Sequence, residues 1–220
     1  MISHQDQNAL FTLIAKRINY NIVCYAFGGN AMMYYGYKDE TKDVDLLFEH
    51  ADQRTAFIET LKALGYDDAS LLHIYTPDKL KDPYKPIVLT KEDGRFDLFL
   101  ARIFSTFLSP IMKEHVFAVH EFRGKHTLTV NVLSKEVIVL LKSVTSRERD
   151  FDDIVTIMQN EKQFNWRSLL DEVRWQVEHG NEWVVIDVGK MMEELTEYIF
   201  VPEAYFAELR GMVGGSTEKD

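Results

Sequence analysis

The sequence predicts an α/β (α+β) protein, a mixed sheet with flanking helices followed by a helical C-terminal part. In the first 133 residues, short apolar runs of strand period, among them Ile22–Phe27 and Asp43–Phe48, alternate with stretches of helical period. Beyond Leu133 only helical spacing recurs. The chain has 220 residues, 46% hydrophobic and 27% charged, enough for one good-sized core or two small ones. The boundaries that follow are an α/β domain over 1–133, a helical part over 134–210, and a polar, glycine-rich tail over 211–220 that is expected to be disordered.

Taken in order, Leu10, Leu13, Ile14 and Ile18 recur at helical spacing along 9–18, so an amphipathic helix should open the chain. Ile22–Phe27, β-branched and aromatic, stops at Gly28-Gly29 as a buried strand does at a turn needing positive φ or close backbone approach. Ala31, Met32, Met33, Tyr34 and Tyr35 favour a short helix from Asn30, which Gly36 would end. In Asp43-Val44-Asp45-Leu46-Leu47-Phe48 the strand period sends Asp43 and Asp45 to one face and Val44 to the other. Residues 51–64 read as a helix with Phe57, Ile58, Leu61 and Leu64 inward and Gly65 as its cap. Pro77, Pro83 and Pro86 mark an irregular excursion that ends in a strand over 87–90, and Glu92-Asp93-Gly94 is a hairpin turn into the strand bearing Asp97. Runs 115–122 and 126–132 form a second hairpin around Arg123-Gly124-Lys125, which would extend the sheet or cover one edge. Ser134 is the N-cap of a helix through Lys142, and further helices are expected over 151–158, 166–177, 188–200 and 203–209.

Thirty-five acidic against 25 basic residues leave a net charge of -10, which argues against a broad duplex-binding surface. Cys24 is the single cysteine, so no disulfide framework exists. The first residues have neither a basic stretch nor an apolar one, and no apolar run reaches the ~20 residues of a membrane span. A cytoplasmic protein without membrane contact is the expectation.

Two carboxylates on one strand face repel unless a cation or a proton lies between them. Mg²⁺ or Mn²⁺ suits such a pair, since hard cations take oxygen ligands and share one or two carboxylates with substrate phosphates. Gly28 and Gly29, leading into a helix at Asn30, offer backbone N–H groups as an anion site. Gly28-Gly29, thirteen residues and then Asp43-Val44-Asp45 resemble the signature of the polymerase-beta-type nucleotidyltransferase superfamily. That resemblance implies that the glycine turn binds a nucleoside triphosphate and that Asp43 and Asp45 hold metal together with a third acid, best matched by Asp97. Gly29 stands where many members carry Ser, which removes a hydroxyl. Thr41, just before the strand, either touches a phosphate or caps the loop.

A second constellation, Lys142, Arg147, Arg149, Asp150 and Asp153, reads on its own as a solvated helix start whose acids complement the helix dipole. It also resembles the Lys and Arg-Asp-x-x-Asp motifs of the abortive-infection, toxin–antitoxin type (AbiEii-like) nucleotidyltransferases. In that group the basic residue neutralises the triphosphate or aids the attacking group, and the acids help to build the pocket. Together the resemblances imply transfer of a nucleoside monophosphate from an NTP such as ATP or GTP to a protein, small-molecule or RNA acceptor. Asp43, Asp45, Asp97 and Lys142 would be catalytic; Gly28, Gly29, Asn30, Thr41, Arg147, Arg149, Asp150 and Asp153 would bind nucleotide. The alternative is a catalytically reduced nucleotide-binding protein, or a toxin–antitoxin partner, of the same fold. The negative charge ranks RNA behind a protein or small-molecule acceptor, and a protein partner would sit on the apolar faces around Trp166, Trp175 and Trp183. The histidines have no zinc spacing.

Overall fold

A computed structural model describes residues 1–70, 82, 84–92, 94–145 and 147–213. Most of the expected proline-marked excursion and part of the Glu92-Asp93-Gly94 turn lie outside the described residues. The chain is mixed α/β and divides into two compact units, Met1–Ile103 with Val116–Leu133, and Phe104–His115 with Ser134–Asp220. The segment Phe104–His115 thus groups with the second unit, which the boundary at Leu133 did not anticipate.

In the first unit the elements are β1 (Ile2–Ser3), α1 (His4–Ala15), β2 (Ile22–Phe27), α2 (Gly28–Tyr35), β3 (Glu40–Thr41), β4 (Asp43–Phe48), α3 (Ala51–Ala63), β5 (Asp67–Asp68), β6 (Ile87–Lys91), β7 (Gly94–Leu100) and β8 (Arg102–Ile103). The numbering runs on through β9 (Thr106–Phe107) of the second unit to β10 (Val116–Arg123) and β11 (Thr127–Leu133), which return to the first. One mixed sheet has the order β10-β11-β2-β4-β7-β6-β5; β11 runs parallel to β2, and β4 parallel to β7. The β10–β11 hairpin therefore extends the sheet. Its turn presses on the end of α1, because a Cβ at Gly124 would stand 2.2 Å from the Ala15 carbonyl oxygen.

Helix α1 begins five residues before the predicted start. Ser3 accepts the Asp6 N–H at 3.1 Å while the Asp6 carboxylate takes the Ser3 N–H, a capping box that starts the helix at His4. The inward stripe runs through Gln7, Phe11, Ile14 and Ala15; of the residues expected inward, Ile14 and Ile18 are buried and Leu13 faces solvent. Phe57 of α3 packs between Phe48 of β4 and Phe96 of β7, with ring centroids 5.3 and 5.9 Å away.

The second unit holds β9, α4 (Pro110–Glu114), α5 (Lys135–Ser143), α6 (Glu148–Asn160), α7 (Trp166–Glu178), α8 (Trp183–Leu195) and α9 (Glu203–Val213). Segment Phe104–His115 is pinned there by α7. The Gln176 side-chain amide accepts the Phe107 N–H at 3.0 Å and donates to its carbonyl at 2.7 Å, and Ser109, the N-cap of α4, donates to buried Glu172 at 2.6 Å. Helix α8 starts five residues earlier than predicted because Val184, Val185, Val188, Met191, Met192 and Leu195 make one buried stripe, so packing overrides the low helix propensity of the valines. Helix α9 continues through Gly211, Met212 and Val213, which were expected in the tail; 214–220 lie outside the described residues. No helix among the described residues is long and apolar enough to cross a membrane.

Candidate functional site

Strands β4 and β7 set Asp43 beside Arg95, Val44 beside Phe96 and Asp45 beside Asp97. With a side-chain period of two, Asp43, Asp45, Arg95 and Asp97 share one face, while Val44 and Phe96 are fully buried on the other. The strand-period expectation for Asp43 and Asp45 is what the register displays.

The glycine turn lies against this face. Gly28 opens α2 at φ +63, where a Cβ would stand 2.3 Å from Asp45 Oδ2, and a Cβ at Gly29 would stand 2.4 Å from Thr41 Oγ1. Both positions are glycine because a carboxylate and a hydroxyl occupy the space that side chains would need. The Thr41 hydroxyl thus fills the place beside Gly29 where a side chain would project, and it donates to the Asp43 carbonyl at 3.2 Å. Asn30 is fully buried and accepts the Asp45 N–H through Oδ1 at 3.1 Å, tying the start of α2 to β4. That bond orients the amide and leaves Nδ2 without a hydrogen-bond partner among the described residues.

Arg95 is the residue that sequence reasoning missed. Its Nε and one terminal nitrogen donate to the two Asp97 oxygens at 2.6 and 2.7 Å, and Nε lies 3.9 Å from Asp43 Oδ1. The paired Asp97 carboxylate, helped by Asp43 and Asp45, raises the guanidinium pKa against the opposing effect of burial. The only signal in the sequence was its place two residues before Asp97 on a strand, hence on the same face.

Asp43, Asp45 and Asp97 are the hard oxygen donors that Mg²⁺ takes, and the guanidinium among them demonstrates that the face accepts positive charge. Among the described residues no three His, Cys, Asp or Glu side chains are arranged for a metal ion, and both Asp97 oxygens are turned to Arg95. The donor set fits the ion in kind, with Asp97 committed elsewhere.

Lys142, Arg147, Arg149, Asp150 and Asp153 belong to the second unit. The largely buried Lys142 ammonium donates to Asp150 at 2.9 Å and to Asp153 at 2.6 Å. Burial is the largest influence on this lysine and lowers its pKa, but the carboxylates of Asp153 and Asp150 more than offset it and hold the ammonium above its ordinary range. Arg147 stands at the N-cap of α6, and Arg149 is exposed. A cavity of about 430 Å³ opens beside them, where Lys142, Arg147 and Lys190 face Glu148, Asp187 and Glu194. Its balanced charge does not select an anion. Of the three tryptophans proposed for a partner, Trp166 is buried against Phe164, Trp175 stacks on His179, and Trp183 is 72% exposed.

Compared with known proteins, the chain matches no family model and no curated protein.

Proposed function

We propose that the first unit is a nucleotidyltransferase-like domain of the polymerase-beta type that moves a nucleoside monophosphate from an NTP to a hydroxyl acceptor. One observation carries this reading: Asp45 Oδ2 lies directly against Gly28 of the turn, on the face that also bears Asp43 and Asp97. A phosphate cradle and the carboxylates for its accompanying cation are useful together only when adjacent. The N–H groups of the Gly28-Gly29 turn would receive the phosphates, and Asn30 would position Asp45 through its backbone. The acceptor oxygen bonds to the α-phosphorus as the bond to pyrophosphate breaks, and the hydroxyl proton passes to a carboxylate, for which Asp97 is the candidate. Mg²⁺ or Mn²⁺ held by Asp43 and Asp45, with Asp97, supplies charge stabilisation at the attacking and leaving oxygens when bound. The Thr41 hydroxyl is the chain's own candidate for the hydroxyl that Gly29 lacks. Lys142, with its charge taken up by Asp150 and Asp153, is read as a structural ion of the second unit. With a net charge of -10, a protein or small-molecule hydroxyl ranks ahead of RNA.

Labelled NTP with Mg²⁺, offered protein, small-molecule and RNA acceptors, should yield an adduct and pyrophosphate. Asp43→Asn with Asp45→Asn should abolish that product and the rise in melting temperature given by Mn²⁺ plus NTP. A double variant that responds like the parent overturns the reading. Nucleotide binding without turnover is the second reading, favoured by the bidentate hold of Arg95 on Asp97. Binding without pyrophosphate across all acceptors would select it.

A further inference from the structure

We propose that Arg95 is a resident counter-cation of the carboxylate face and couples nucleotide to metal, holding Asp97 until a triphosphate draws the guanidinium away. This rests on the nucleotide-binding reading of the Gly28-Gly29 turn.

The register puts three carboxylates and one guanidinium on adjoining positions of two strands, so the quartet stays net negative. The guanidinium is shared unevenly. It makes two short hydrogen bonds to Asp97 and only a 3.9 Å approach to Asp43. A divalent cation reaches Asp97 only by competing with Arg95, which holds both of its oxygens. The planar guanidinium fork that grips a carboxylate grips a phosphate equally well. Arg95 keeps about a third of its side chain exposed (32%), which leaves it a path to a ligand arriving at the neighbouring turn. A triphosphate that takes Arg95 frees both Asp97 oxygens, so nucleotide and metal each favour the arrangement that suits the other. Such coupling is reciprocal by thermodynamic necessity.

The test is Mn²⁺ titration of the full chain, read by the paramagnetic resonance signal of free Mn²⁺, with and without a mixture of non-hydrolysable ATP and GTP analogues. In the parent, the analogues should tighten Mn²⁺ binding by about fivefold or more, the lower end of typical coupling. Arg95→Met should tighten Mn²⁺ binding in the absence of nucleotide, by a similar factor, and erase most of the gain that the analogues give. Arg95→Lys, which keeps the charge but loses the fork, should fall between the two. A parent with nucleotide-coupled Mn²⁺ binding that Arg95→Met and Arg95→Lys leave unchanged overturns the role of Arg95 alone. Absence of Mn²⁺ binding in the parent and in both variants overturns this role together with the reading it rests on. Tight Mn²⁺ binding confined to Arg95→Met, with no response to the analogues, sustains Arg95 as counter-cation and removes the nucleotide.

Discussion

Replacing Gly28 by Ala tests the contact on which the candidate site depends. Two costs add at this position. The backbone sits at φ +63, where an L side chain costs about 1–2 kcal/mol. The new Cβ would also lie 2.3 Å from Asp45 Oδ2, so one of the two must move. The Asp45 backbone has little freedom, being paired to Phe27 on one side and Asp97 on the other, with its N–H held by Asn30. The Asp45 side chain must therefore turn off its rotamer, at roughly 0.5–1.5 kcal/mol. Gly36, at the other end of α2, is an internal control: its φ is +77 and a Cβ there meets nothing within 4 Å. Gly36→Ala should show the backbone cost alone, and Gly28→Ala should exceed it by about 1 kcal/mol. Denaturant midpoints at equal m-values measure both. Adding Asp45→Ala to Gly28→Ala should remove the excess, a coupling that a double-mutant cycle reads directly. Equal losses at Gly28 and Gly36, with no coupling to Asp45, would refute the close approach of carboxylate and turn.

Two further outcomes concern the second unit. Lys142→Met should destabilise by about 1.5–3 kcal/mol, because it removes a buried ammonium that donates to two half-buried carboxylates, whereas Arg149→Met should stay within about 0.5 kcal/mol; chemical denaturation of the two variants decides whether Lys142 is structural. Glu172, almost wholly buried, has its carboxyl raised above the ordinary 4.5 by burial, against the hydrogen bonds from Gln176 and Ser109. The folded chain holds this proton longer than the unfolded one, so its contribution is full below 4.5 and is lost as pH rises through the raised value. Unfolding free energies of the parent should therefore fall over that interval relative to Glu172→Gln; a parallel pH dependence would show that Glu172 is not the titrating group.

Elements whose signals are local were legible from the chain. Ile22–Phe27 and Asp43–Phe48 are strands, Ser134 caps α5 through Val137 N–H, and Gly36 and Gly65 end α2 and α3 in left-handed backbone. Where the prediction slipped, a distant or side-chain contact decided the outcome. The Ser3–Asp6 box moved the start of α1 to His4, and burial of one stripe set the limits of α8 against the β-branched residues at its start. Segment Phe104–His115 joined the second unit through Gln176 and Glu172, polar residues whose burial no hydropathy pattern announces.

The site divides along the same line. That Asp43 and Asp45 share a face follows from strand period alone, and the need for glycine at 28 and 29 follows from a turn between strand and helix. Which atoms press on those glycines depends on tertiary placement: Asp45 against Gly28, Thr41 against Gly29. The charge of the site depends on it too. Arg95 is legible as a same-face neighbour of Asp97, but the parallel register that sets it opposite Asp43 exists only once β4 and β7 pair. An acidic face read from one strand is incomplete until its neighbour is aligned, and here the neighbour brings both the third carboxylate and the cation that holds it.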